Sequence, residues 1–193
     1  MTPVLMTKDA PIALIGAGDS TPSIMKFAVD RSSALVAADG GAQAAIGAGY
    51  IPDLVIGDFD SIDEATLAQV PRDRVHHVAE QDSTDFEKCL MRLRAPLVLS
   101  VGFTGARLDH TLAVMSVMVR YAERQPCAVL GSEDLCFVLP PRFEVTLPAA
   151  TTVSLFPMAP VRGRSVGLRW PIDGIDFAPA GRVGTSNEAI GGP

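Results

Sequence analysis

The sequence has 193 residues, 48% of them hydrophobic and 20% charged, which suits one large domain or two small ones and is too apolar for wholesale disorder. Its 16 basic residues are outnumbered by 22 acidic ones, a formal net charge of −6, and this excludes the basic surface that duplex nucleic acid requires. A nucleotide is not excluded, because a bound divalent cation inverts the local field.

From residue 12 to about 130 short apolar runs alternate with longer amphipathic ones. Strands are predicted at 12–16 (IALIG), 34–39 (ALVAAD), 53–58 (DLVIGD), 74–79 (RVHHVA), 97–102 (LVLSVG) and 127–131 (CAVLG). Helices are predicted between them, at 21–31, 40–48, 63–69, 83–94 and 108–123. This alternation gives an α/β fold with a doubly wound, mainly parallel sheet. Ser61 is the expected N-cap of the third helix, with Glu64 reaching back, and Asp82 or Ser83 that of the fourth. The fourth helix sets Phe86, Cys89, Leu90 and Leu93 on one buried stripe. After Gly131 the pattern changes to short β-like segments (LCFVL, RFEVTL, TTVSLFPM, RSVGLRW, AGRVGTSN) separated by Pro and Gly. These predict a smaller all-β, sandwich-like domain over 132–193, following an α/β domain over 1–131.

In an open parallel sheet, ligands bind beyond the carboxyl ends of the strands, and the unusual polar residues collect there. The second strand ends in Asp39-Gly40-Gly41, the third in Asp58-Phe59-Asp60-Ser61, the fourth in Glu80-Gln81-Asp82-Ser83-Thr84-Asp85 and the fifth in Phe103-Thr104-Gly105-Ala106-Arg107-Leu108-Asp109-His110. Asp39, Asp82 and Asp109 each precede a helix and could serve only as caps. The pair Asp58 and Asp60 needs another reason, since like charges ~4 Å apart cost about 4 kcal/mol at an effective dielectric of ~20. Carboxylates completed by phosphate oxygens are how magnesium is usually held, and Asp85 could supply a third. Gly40 and Gly41 would let peptide N–H groups approach a phosphate, Arg107 offers a fork for phosphate oxygens, and Lys88 a point charge.

Other motifs are weaker. GAGDST at 16–21 resembles the start of a dinucleotide fingerprint without its third glycine. No Walker A, G-x-S-x-G or Cys/His cluster is present. Cys89, Cys127 and Cys136 lack C-x-x-C spacing and read as reduced thiols. With neither an apolar run of membrane-spanning length nor a signal-like start, a cytoplasmic location is expected.

The motifs AADGGA, PDLVIGDFDS, EQDSTDFEKCL and GARLDH, followed by GLRWPI and GRVGTSNEA, resemble those of the thiamine pyrophosphokinase family, over roughly residues 12–189. The resemblance implies transfer of pyrophosphate from ATP to the hydroxyethyl group of thiamine, giving thiamine diphosphate and AMP. It implies an α/β ATP-binding domain, a β-sandwich, and a homodimer with shared active sites. Carried over by position, Asp58, Asp60 and Asp85 would bind Mg2+. Gln81, Lys88, Arg107 and Asp109 would surround the ATP phosphates and the metal, and Asp39, Gly40 and Gly41 would form the nucleotide-side loop. Ser186 and Asn187 would bind thiamine, facing the partner subunit. Glu80 stands where many relatives have Asp, and relatives continue into further β-strands beyond TSN. The rival readings are a nucleotide- or thiamine-binding regulatory module without turnover, and a haloacid-dehalogenase-like phosphatase. In the phosphatase the D-x-D usually ends the first strand of its domain, whereas here it ends the third.

Overall fold

The computed structural model describes residues 2–105 and 107–191. In chain order its elements are β1 (Met6–Thr7), β2 (Ile12–Ile15), α1 (Pro22–Asp30), β3 (Ala34–Ala38), α2 (Gly41–Gly47), β4 (Leu54–Gly57), α3 (Glu64–Leu67), β5 (Val75–His77), α4 (Asp85–Arg92), β6 (Leu93–Arg94), β7 (Val98–Val101), α5 (Leu108–Tyr121), β8 (Cys127–Leu130), β9 (Leu135–Phe137), β10 (Thr152–Leu155) and β11 (Gly184–Glu188). No described helix is long and apolar enough to cross a membrane.

Successive residues of a strand face opposite sides, and here both sides are apolar. Ile12 and Leu14 join Val36, Ile56 and Val98 beneath Phe86, Leu90, Val114 and Met118 of α4 and α5. Ala13 and Ile15 join Leu35, Leu99 and Val101 beneath Met25, Ala28 and Ala45 of α1 and α2. The resulting seven-stranded sheet has the order β5-β4-β3-β2-β7-β8-β9. It is parallel except for β9, which pairs antiparallel with β8. The order reverses between β2 and β7, which is the topological switch point.

Two helix starts differ from expectation. The Ser61 hydroxyl donates to Asp60 Oδ1 (2.7 Å), and α3 begins at Glu64, capped by Asp63, whose carboxylate accepts the N–H of Thr66 at 2.8 Å. Thr84 caps α4, its hydroxyl accepting the Glu87 N–H at 3.3 Å, while the Ser83 hydroxyl donates to Glu80, whose Oε2 also accepts the N–H groups of Asp82 and Ser83 (2.9 and 3.1 Å) and fixes the preceding turn.

Helix α4 is pinned at both ends. Glu87, in its first turn, is gripped by the Arg120 fork (2.7 and 2.8 Å) and by the Tyr121 hydroxyl (3.1 Å). Just beyond β6, Ala95 gives its N–H to Gln125 Oε1 and accepts from Gln125 Nε2, both at 2.9 Å, and Gln125 is fully buried. The packing of α2 is tighter still. A Cβ on Gly41 would lie 2.1 Å from the Ile15 carbonyl oxygen, so α2 reaches the sheet only through a glycine. Gly41→Ala should therefore cost about 3 kcal/mol in urea unfolding. Gly47→Ala, which meets nothing within 4 Å, should be neutral or slightly stabilising. Equal midpoints for the two variants would contradict this packing.

The chain divides into two compact units, Met1–Val138 and Leu139–Pro193. The boundary lies past residue 131 because LCFVL contributes β9 to the large sheet instead of opening the β region. Within the second unit β10 and β11 form an antiparallel ribbon. RSVGLRW supplies only the isolated bridge Leu168–Ala189, and RFEVTL no strand among the described residues. The predicted sandwich is thus a smaller antiparallel β region, and Gly192 and Pro193 lie outside the described residues.

Candidate active site

Strand β4 delivers Asp58, Phe59 and Asp60 at its carboxyl end, and neighbouring β3 delivers Asp39. Among the described residues, one carboxylate oxygen from each of Asp39, Asp58 and Asp60 lies within 4.8 Å of the others. Three charges at that spacing repel by about 3 kcal/mol per pair at an effective dielectric of ~20. Hard oxygen donors crowded in this way fit a magnesium ion by the chemistry of the donor set. Asp39 is 2% exposed, whereas Asp60 is exposed.

A second network grips Asp58. Its Oδ2 accepts from Lys88 Nζ at 3.0 Å and from Gln81 Nε2 at 2.7 Å, and Lys88 also donates to Asp85 Oδ1 at 3.1 Å. Asp85 and Lys88 are three residues apart in α4 and so share a face. Asp85 thus enters the site through Lys88, and Asp39 takes the third place in the carboxylate cluster. The lysine side chain is 2% exposed, an internal counter-charge held between the two carboxylates.

The Lys88 ammonium draws the Asp58 carboxyl down to about 2 from an ordinary 3.8, against the burial that opposes it and with help from Gln81. Burial pushes Asp85 the other way, partly offset by its bond to Lys88. A depressed carboxyl stabilises the fold fully above its unfolded pKa and loses that contribution as pH falls through the folded value. The Asp58 contribution should therefore fade between about pH 4 and about pH 2, while protonation of Asp85 acts in the opposite sense. Acid unfolding followed by circular dichroism should show a shallower slope in this window for Asp58→Asn than for the wild type; equal slopes would contradict the assignment.

Arg107 and Asp109 form a separate, exposed pair after β7, at 3.2 and 2.6 Å, with β3 and β2 lying between β7 and β4 in the sheet. Arg107 is the N-cap residue of α5, and its guanidinium is raised by the bond to Asp109. Gly40 is the N-cap residue of α2, and Gly41 is needed for helix packing.

The GAGDST loop, set aside as an incomplete fingerprint, lies at the switch point. Gly18 N–H donates to Gly102 O at 2.7 Å and Asp19 N–H to Thr104 O at 3.2 Å. A Cβ on Gly16 would stand 2.4 Å from Gly102 O, so both loops need glycine for close backbone contact. The signal for this loop was the reversal of strand order; the motif alone did not carry it.

In the second unit Ser186 has a left-handed backbone (φ 59°), and its N–H donates to Ser154 Oγ at 3.0 Å. Asn187 is buried; its Oδ1 accepts from Trp170 N (3.1 Å) and Glu188 N (2.8 Å), and its Nδ2 donates to Trp170 O (2.6 Å). That leaves one amide N–H for anything else. Asn187, Trp170, Phe177, Arg182 and Thr185 line a cavity of ≈ 190 Å³ within this unit. Sequence reasoning passed over Trp170, whose ring is half exposed beneath the Arg169 guanidinium, 4.9 Å from its centroid.

The family model of the thiamin pyrophosphokinase catalytic domain matches residues 25–130, which include the carboxylate cluster, Lys88 and Arg107. The chain is similar to thiamine pyrophosphokinase 1 of Arabidopsis thaliana, 25% identical over 210 residues, covering 91% of this chain and 78% of that protein. It is also similar to thiamin pyrophosphokinase 1 of Caenorhabditis elegans, 26% identical over 153 residues, covering 71% and 62%. Among solved structures, thiamin pyrophosphokinase from Candida albicans superposes with a TM-score of 0.79 at 17% identity, over 96% of this chain and 86% of that one. The yeast enzyme gives 0.77 at 20% identity, over 95% and 81%. At those identities the structural likeness shows a shared fold.

Proposed function

The chain belongs to the thiamin pyrophosphokinase family, and on that footing we propose that it transfers pyrophosphate from ATP to thiamine, forming thiamine diphosphate and AMP. The observation that carries this reading is the cluster of Asp39, Asp58 and Asp60 at adjacent strand ends, inside the matched region.

The first unit would bind ATP and the second thiamine. Asp39, Asp58 and Asp60 would hold magnesium, which supplies charge neutralisation at the phosphates when bound. Lys88 and Gln81 orient Asp58 for that task and hold it ionised. Arg107 would exchange Asp109 for phosphate oxygens, its fork suiting two of them at once. Gly40 and Gly41 would border the nucleotide beside Asp39. The thiamine hydroxyl oxygen would form a bond to the β-phosphorus as the bond from that phosphorus to the AMP oxygen breaks. The hydroxyl proton would pass to a carboxylate, Asp60 or Asp85; burial raises the Asp85 carboxyl, which suits it to take a proton. Catalysis here is mostly positioning and charge stabilisation.

Ser186 and Asn187 would meet thiamine, with Trp170 offering a ring face to its cationic ring system. The protein would act as a homodimer sharing its sites. The test is incubation with ATP, magnesium and thiamine. AMP release dependent on thiamine is expected; phosphate release without thiamine would indicate a phosphatase, and binding without turnover a regulatory module.

A further inference from the structure

We propose that Phe59 is the positioning residue of the metal-binding turn, pinned in a left-handed conformation so that Asp58 and Asp60 stay side by side before any cation arrives. This deepens the reading above and rests on it for the metal's role.

Residues two apart on an extended strand share a face and stand about 6.6 Å apart along it, so the conformation of the residue between them decides where the second carboxylate lies. The bend occurs at Phe59, whose φ is 64°. A residue with a bulky side chain rarely adopts that conformation, and glycine would do so without strain. Two restraints hold Phe59 there. Its N–H donates to Asp39 Oδ1 at 2.9 Å, from a carboxylate that is 2% exposed and itself on a left-handed backbone, φ 45°. Its ring packs on the cluster of Ala37, Val55 and Ile62 and lies 5.6 Å from the His77 ring. Gly57 completes the interlock, since a Cβ there would come within 2.8 Å of Asp39 Cβ. A phenylalanine therefore does here what glycine could not: it bends the chain and also anchors the bend in the core. Asp39 thus serves both the turn and the carboxylate cluster.

Phe59→Asn separates the bend from the anchor, because Asn tolerates the left-handed region and keeps the N–H but loses the ring. Mn2+ binding, measured by electron paramagnetic resonance on nucleotide-free protein, should weaken by about 10- to 100-fold, the range for residues that orient metal ligands. Phe59→Leu, which keeps an apolar anchor, should bind within a few-fold of wild type. The Phe59 amide of metal-free wild type should be protected from hydrogen exchange. Wild-type affinity in Phe59→Asn, an unprotected amide, or no Mn2+ binding by the wild type would each overturn the proposal. Should Phe59→Asn not fold, Phe59→Leu and the amide measurement decide the matter. Thiamine-dependent AMP release is scored separately, so its failure alongside intact Mn2+ binding removes the reaction and leaves the turn standing.

Discussion

Asp60→Asn should cut turnover by about 10²- to 10³-fold while the folded protein keeps its thermal midpoint within a few degrees of wild type. The side chain is exposed, and the bond it accepts from the neighbouring Ser61 hydroxyl survives in the amide. Removing its charge relieves repulsion inside the carboxylate triad and leaves the Lys88 network untouched. Stability and activity are thus separable at this position. Steady-state AMP production across a magnesium titration checks it. Unchanged turnover at limiting magnesium would remove Asp60 from the cation's shell.

Lys88→Met should do the reverse and strike the fold first. The lysine is buried between Asp58 and Asp85, and its removal leaves two carboxylates facing each other without a cation. Breaking a buried pair by removing one partner costs about 3–5 kcal/mol, which in a protein of this size lowers the midpoint by about 10 °C. Methionine nearly conserves the volume of the buried stem, so packing is not the cause. Saturating Mg2+ should recover part of the loss, because a cation then shields Asp58 from its other side. Calorimetry with and without Mg2+ measures both effects; a midpoint equal to wild type would show the lysine to be dispensable.

The parts of the fold written as local periodicity were legible in the sequence. Runs such as IALIG and LVLSVG, apolar on both faces, admit little besides a covered parallel strand, and the stripe Phe86, Cys89, Leu90 and Leu93 is buried as its spacing required. What depends on competition for one hydrogen bond was not legible. Ser61 has the right spacing for a cap, yet Asp60 takes its hydroxyl; Ser83 gives its own hydroxyl to Glu80, and Thr84 takes the Glu87 amide. In the second unit β-like composition overstated the strands, since its Pro and Gly residues let few segments pair. At the candidate site the pair Asp58 and Asp60 was visible as a motif. That Asp39 joins this pair is not legible locally, because nothing in the sequence shows that β3 and β4 are neighbours in register. Nor does the sequence report that Lys88 is buried between Asp58 and Asp85.

Because α4 is fastened at Glu87 and again just past β6 at Ala95, it cannot fray independently of the end of α5. Local openings in proteins proceed by cooperative blocks, and a block tied to the core opens only at close to the full unfolding free energy. Asp85 and Lys88 ride on such a block, whereas Arg107 stands on an exposed position outside it. The candidate site therefore joins two mechanical regimes: an immobile wall that keeps Asp58 ionised and in place, and an arginine held by a single exposed partner, Asp109.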